Sequence, residues 1–331
     1  MIKRLSLTLL SIITISLTGC KLGTSGMWKN GSIDQRARQE IKALNDRLMD
    51  ALRKNDTAGV KALLSDQLLE KAPALGNLIS QVSPFLENND YRVLDEYLVR
   101  STTTGQNAFI PSGLSGDNDY ALNFLALNKE MYVSLLIPTR QSDELLVTAI
   151  YGKYGSEWKI NILYFGQYSI EGKTAPDYYK TAKERFQNKE LVDAANLMYM
   201  AKLCFTPSVV WQYKRADEIK NFGEKAVVEA NTAYKFPVMV DKVDTKPQII
   251  GINPEKTQSQ FFVLVSYLSN INIKDTSALR TENLKIRKEI SKLFNGIDKN
   301  KPYLAYRAFN EMPDATKKTM HYGFIDTLLL H

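Results

Sequence analysis

Between Tyr91 and Ile170 the apolar residues recur with a period of two, and on either side of that stretch they recur every three or four residues. A period of two sends alternate side chains to opposite faces of a strand, whereas steps of three and four draw one stripe along a helix. The chain must therefore build a sheet from its middle and helices from its flanks, an α+β layout. Candidate strands are Tyr91–Ser101, Tyr120–Leu127, Met131–Pro138, Leu145–Tyr154 and Trp158–Ile170, the last two joined by a tight turn at Gly155-Ser156. In the last strand Trp158, Ile160, Ile162 and Tyr164 fall on one face, and Lys159, Asn161, Leu163 and Phe165 on the other. Both faces are partly apolar, so we expect cover on one side and a cavity or a partner on the other.

The preceding helices are read from their stripes. Ile41, Leu44, Leu48, Ala51 and Leu52 mark one buried face of a helix over 34–54, broken at Asn55-Asp56. Thr57 caps a second helix carrying Val60, Leu63 and Leu64, and a third runs from Leu75 to Leu86 until Pro84 kinks or ends it. This element order, with the phrases Ala43–Ser65 and Tyr151–Tyr168 (YGKYGSEWKINILYFGQY), resembles the cone-shaped ketosteroid-isomerase-like fold, also named after nuclear transport factor two, over residues 34–171. The resemblance implies helices on a curved, cone-like antiparallel sheet and a pocket whose candidate lining is Tyr132, Tyr151, Trp158 and Tyr164. That fold hosts both enzymes and binding modules, so it does not decide function.

Residues 172–232 return to helical spacing. Pro176–Lys189 and Glu190–Phe205 form a hairpin similar to one tetratricopeptide unit, and Val209–Asn231 reads as a third helix, so we take this part as a helical bridge. One unit is too few for a solenoid. The remainder, 233–331, reads as a separate small α+β domain with strands Phe236–Val243, Gln248–Ile252 and Gln260–Leu268, a helix Thr276–Phe294, then strands Tyr303–Phe309 and Met320–Leu328.

Chemistry is sparse along this frame. Enzymes that resemble the cone fold work through an Asp base, a Tyr donor or a His, and residues 34–172 hold no histidine. Asp95 and Asp119 with Tyr97, Tyr120, Tyr132, Tyr151, Tyr164 and Tyr168 are the available acid–base groups, and nothing in their spacing singles out a pair. His321 and His331 are the only histidines, too few beside Cys204 for a closed zinc site. Cys204 and His321 fall in different expected domains, which disfavours a thiol nucleophile. Gly113-Leu114-Ser115 opens like a nucleophile elbow but closes on Asp117. No motif calls for a cofactor or metal. The sequence thus reads as non-catalytic, with a small-ligand carrier or sensor using the cone as the alternative and an isomerase-like enzyme behind both.

Charge is divided. Residues 34–172 carry 14 basic and 18 acidic side chains, and residues 173–331 carry 25 and 18. The basic half faces anionic lipid, an acidic partner or solvent; its charges are scattered, which favours solvent and gives no nucleic-acid footprint.

The first residues fix the address. Lys3 and Arg4 precede an uncharged run from Leu5 to Leu17, too short to cross a bilayer, so this is a targeting segment and not a span. The run ends Leu17-Thr18-Gly19-Cys20, which resembles the lipobox of bacterial lipoproteins. The resemblance implies removal of residues 1–19, acylation of Cys20 and anchoring in the lipid bilayer of the cell envelope. Residues 20–33 then read as a lipidated tether, with Trp28 resting on the membrane interface or on the protein. In sequences that resemble enteric lipoproteins an Asp after the cysteine favours inner-membrane retention; Lys21 stands here, which leans towards the outer membrane facing the periplasm. An envelope protein is the expected partner. Acylation of Cys20 leaves Cys204 alone, so no disulfide forms within the chain. Cys20→Ser is expected to abolish incorporation of labelled palmitate and to move the protein out of the membrane fraction; equal labelling of both forms contradicts the assignment.

Overall fold

The computed structural model describes residues 24–86, 90–139, 143–256, 261–299, 301–314 and 316–328. Cys20 and His331 lie outside them. The fold is α+β, built on three open, mostly antiparallel sheets.

Residues 24–29, expected as part of the tether, form a strand. β1 (Thr24–Lys29) pairs antiparallel with β2 (Tyr91–Ser101), Met27 opposite Val99 and Lys29 opposite Tyr97. Trp28 rests on the protein, packed against the helix-side core under the Arg100 guanidinium, 5.1 Å from its ring centroid. No described side chain of the strand is fully buried and its alternation is short, which is why TSGMWK reads as irregular in sequence.

Four helices follow: α1 (Gln35–Arg53), α2 (Thr57–Leu63), α3 (Asp66–Lys71) and α4 (Leu75–Val82), the last running into a 3-10 turn at Ser83–Leu86 that contains Pro84. Asp34 caps α1 by accepting from the Ala37 amide, and Asp56, not Thr57, caps α2 by accepting from Gly59. Ile41, Leu48 and Leu52 of α1 are fully buried, together with Val60 and Ile79.

The middle of the chain supplies β2, β3 (Gln106–Pro111), β4 (Tyr120–Ala126), β5 (Glu130–Pro138), β6 (Leu145–Tyr154) and β7 (Glu157–Gln167). The main sheet runs β1-β2-β5-β6-β7. Helices α1–α4 cover one face, where Leu98, Tyr132, Leu136, Val147, Tyr151 and Trp158 are buried. The other face carries Tyr97, Val99, Val133, Leu135 and Ile150 into a second core cluster.

That second face is covered by the chain itself. α5 (Ala175–Gln187) and α6 (Leu191–Leu203) pack as the expected hairpin, and Tyr178, Ala182, Met198 and Cys204 join the cluster. The stretch read as one helix over Val209–Asn231 instead makes β8 (Trp211–Tyr213) and α7 (Ala216–Ala233). β8 completes a small sheet, β3-β4-β8, because Trp211 stacks on Tyr120 with centroids 3.6 Å apart and meets Tyr168 and Tyr213 edge-on. This core therefore packs across the boundary placed at 171–172.

The facial assignment of β7 also changes along its length. Ile150 pairs with Ile162 but Tyr151 pairs with Ile160, which leaves Asn161 as a bulge. One extra residue inverts the alternation beyond it. Leu163 and Phe165, not Ile162 and Tyr164, accordingly share the helix-covered face with Trp158 and Ile160. The bulged Asn161 donates to Asn128 at 2.6 Å and accepts from Tyr154, and Gly152 beside them leaves no room for a Cβ.

The C-terminal unit has β9 (Val238–Met239), β10 (Gln248–Lys256), β11 (Phe261–Leu268), α8 (Thr276–Leu293), β12 (Tyr303–Phe309) and β13 (His321–Thr327). Its sheet runs β13-β12-β11-β10-β9, with α8 as the crossover between parallel β11 and β12. The strand expected over Phe236–Val243 shrinks to two residues, bounded by Pro237 and a turn in which Val240 bonds Pro247.

Trp211→Ala should destabilise the fold by about 3–5 kcal/mol, as for a buried large aromatic, whereas Val209→Ala, at 62% exposure, should stay within about 0.5 kcal/mol. Urea unfolding of both variants measures this, and equal midpoints contradict it.

Candidate functional site

Tyr132 and Tyr151 are fully buried and Trp158 nearly so, all inside the packed layer between α1 and the main sheet. They fill this layer and do not line an open space. The Tyr132 hydroxyl donates to Glu96 at 2.6 Å, and the Tyr151 hydroxyl donates to Asn45 at 2.8 Å. Trp158 meets Tyr132 edge-on and donates to Glu40. Tyr164 is half-buried on the opposite face, beyond the bulge, so the four candidates are not brought together.

Above Tyr132 and Tyr151 lies an open groove of about 580 Å³ between α1 and β2, floored by Asn45 and Glu96 and flanked by Arg38, Asp46 and Tyr91. Its carboxylates are already engaged. Glu96 takes Arg38 at 2.6 Å as well as Tyr132. Asp46 takes Lys42 at 2.7 Å and the Tyr91 hydroxyl at 2.6 Å. Burial pushes the Asp46 carboxyl up, but these two hydrogen bonds outweigh it and hold the group below its ordinary value.

On the other face the sequence candidates Asp95, Tyr97 and Tyr120 do meet. Asp95 accepts from Tyr120 at 2.5 Å, Tyr97 at 3.4 Å, Asn30 at 2.8 Å and the Lys29 ammonium at 2.9 Å. Burial raises both phenols well above the ordinary tyrosine range. With four donors on one carboxylate and Trp211 stacked over Tyr120, no reacting atom has access. Asp119 sits nearby but bonds Ser112 and Lys214 instead.

The remaining nucleophile candidates separate. Cys204 is fully buried, its thiol directed at the carbonyls of Met200 and Ala201, and burial raises its pKa to about 12. His321 stands on β13, its Nδ1 3.2 Å from the Thr319 carbonyl. Gly113 and Gly116 lie in a loop with positive φ, not on a strand-to-helix elbow. Among the described residues no group of three His, Cys, Asp or Glu is placed to hold a metal, and no helix is long and apolar enough to cross a membrane.

Two further places were not signalled by the sequence. The first is the joint between the α5–α6 hairpin and the C-terminal sheet. Glu190 is paired with Arg185 and Lys299, both at 2.8 Å, and Asp193 with Lys301 at 2.7 Å. Lys256 reaches Asp143 at 2.8 Å. Gly296 adopts φ +78°, and a Cβ there would strike the Glu190 carboxyl. A cleft of about 240 Å³ remains beside the pairs, lined by Tyr178, Arg185, Asn196, Phe262 and Lys301, and the Asn196 side-chain amide nitrogen is buried without a partner.

The second is the outer edge of β13. Its side chains alternate between exposed and half-buried, and among the described residues no strand pairs with its free edge. Exposed strand edges usually carry lysine or proline, or are covered. β13 (HYGFIDT) has neither residue, and its one acid, Asp326, is tied to Arg287 at 3.0 Å. Ile325 and Met320 are 69% and 65% exposed, and a groove of about 890 Å³ beside them includes Leu284 and the cations Arg280, Arg287 and Arg307. Such an edge can accept a partner strand by main-chain pairing, with pockets for alternate side chains.

Compared with protein-family models, curated proteins and solved structures, the chain matches none of them.

The joint has a pH signature. Burial raises the Glu190 carboxyl, but Lys299 and Arg185 outweigh burial and leave it lowered. A lowered carboxylate adds stability that is complete above its unfolded value, about 4.3, and is lost as pH falls through the folded one. Glu190→Gln should therefore flatten the fall in urea midpoint below about pH 4.3 relative to wild type. Parallel curves for the two proteins contradict the role given to this pair.

Proposed function

We propose that this protein is a non-catalytic envelope lipoprotein, held by acylated Cys20 with the outer membrane favoured, whose body binds another envelope protein. The observation that carries the reading is the edge of β13, unpaired among the described residues and flanked by exposed Ile325 and Met320 and by three arginines. A strand edge of this kind promotes uncontrolled association unless a partner occupies it. We read the N-terminal unit as ketosteroid-isomerase-like, used as a scaffold. What supports scaffold over isomerase is the state of its acids: Asp46, Asp95 and Glu96 each have a cation and a tyrosine hydroxyl on them. A general base needs a free lone pair in reach of its proton.

A small-ligand role has one specific observation in its favour, and it moves the site from the cone to the joint. The unpartnered Asn196 amide beside Arg185 and Lys301 offers donors to a small ligand carrying acceptor oxygens.

A photo-crosslinking residue at Ile325 in intact cells should give a discrete adduct, absent when the same residue stands at Val228, which is 62% exposed on α7. Met320→Lys should reduce that adduct several-fold without lowering the unfolding temperature. Recovery of the monomer alone from the Ile325 position overturns the binding reading.

A further inference from the structure

The strand pairing of β1 gives the anchor a geometry. Cys20 precedes Thr24 by four residue steps, which span at most about 14 Å even when fully extended. Thr24 is paired with Ser101 at the end of β2. The main strands are about ten residues long, hence roughly 33 Å from end to end. A tether of that length confines the acylated cysteine to one end of the sheet.

That end is assembled by identifiable contacts. Arg100 pairs with Glu130 and Met131 with Gly152, which brings the β4–β5 and β6–β7 turns beside Thr24. The Ser101 amide donates to the Lys129 carbonyl and the Gly105 amide to the Ala126 carbonyl, which adds the β2–β3 loop. Residues 102–107, Lys129 and 154–157 are all exposed here. The surface is chiefly threonine, asparagine, glycine and Tyr154. Glu130 is taken up by both Arg100 and Lys153 at 3.2 Å, so the cations Arg100, Lys129, Lys153 and Lys159 outnumber Glu130 and Glu157. The opposite end differs in occupancy: it carries Asp143, Glu144 and Glu171 beside Arg92, and β10 and β11 dock there through Lys256 and the Phe261 amide.

We propose that the body seats end-on upon its own membrane, with the 102–107, 128–130 and 154–157 loops against phospholipid headgroups and the Tyr91–Pro138 end of the sheet pointing away. The proposal rests on the anchoring of Cys20 and adds the orientation. A slight excess of cations suits an anionic headgroup layer, to which each basic side chain near the surface contributes. The seating also restricts partners: whatever binds β13 must come to this membrane, because no long flexible leash lets the body search beyond it.

The test uses the full-length acylated protein in phosphatidylethanolamine–phosphatidylglycerol vesicles containing a headgroup-labelled quencher lipid. A fluorophore is placed by Thr103→Cys or Ser156→Cys at the near end, and by Arg92→Cys at the far end. The near labels should be quenched several-fold more than the far one. Inserting about 12 Gly-Ser residues between Cys20 and Thr24, a flexible coil, should erase the difference. Equal quenching at both ends, or a difference that survives the insertion, overturns the seating while leaving the anchor intact. Mass spectrometry that finds no acyl chain on Cys20 overturns the anchoring reading itself, and the seating with it.

Discussion

Two consecutive carboxylates in the middle of β2 set the conditions for everything around them. Asp95 and Glu96 are neighbours on one strand, so they point to opposite faces of a sheet that is covered on both sides, and each is more than nine-tenths buried. An ionised carboxylate out of water is costly unless it is paired and hydrogen-bonded. Each finds the same solution on its own face, a cation and a tyrosine hydroxyl: Lys29 and Tyr120 for Asp95, Arg38 and Tyr132 for Glu96. Both cations come from the first forty residues, so β1, paired beside β2, and α1, packed over one face, are tied to the same strand. Forming such pairs returns little net stability, but removing Lys29 or Arg38 leaves a buried carboxylate without its cation, a cost that solvent reduces at half-exposed Arg38. The effect is therefore on uniqueness: the N-terminal segment has one place to go.

The same arithmetic explains why tyrosine-rich layers of this kind look catalytic in sequence and do not open as sites. A Tyr–Asp pair is the signature of proton abstraction, and Asp95 with Tyr97 and Tyr120 meets the distance criterion. Saturation by Lys29 and Asn30, and closure by Trp211, turn that geometry into packing. The charge division between the halves has a similar structural outlet. Lys256 of the C-terminal sheet reaches across the division to Asp143 of the N-terminal unit, while Lys299 and Lys301 find Glu190 and Asp193 within the basic half itself.

Much of the fold was legible because burial wrote it into the period. β2 and β6 have the bounds expected from alternation, and the stripe of α1 runs between its capping Asp34 and Lys54. Several of the failures share a cause, since they depend on a partner distant in sequence. TSGMWK is a strand because Asp95 and β2 hold it. Trp211 leaves a helical pattern because Tyr120, far back in the chain, offers a stacking surface. The bulge at Asn161 is specified by Asn128 and Tyr154, and it reverses a face assignment that strict alternation cannot question. The Glu190 joint and the β13 edge are still less visible. One needs Gly296 to approach from the far end of the chain, and the other is defined by what does not pair with it among the described residues.

If Asp95 and Glu96 draw the N-terminus into the fold, β1 opens only when the main sheet does. Amide hydrogen exchange of the full-length protein reads this directly. The account predicts that those backbone amides of β1 that donate to β2 exchange as slowly as those of β5, at the rate of global unfolding. Exchange of those amides within seconds, while β5 stays protected, would contradict it and return the segment to a free tether.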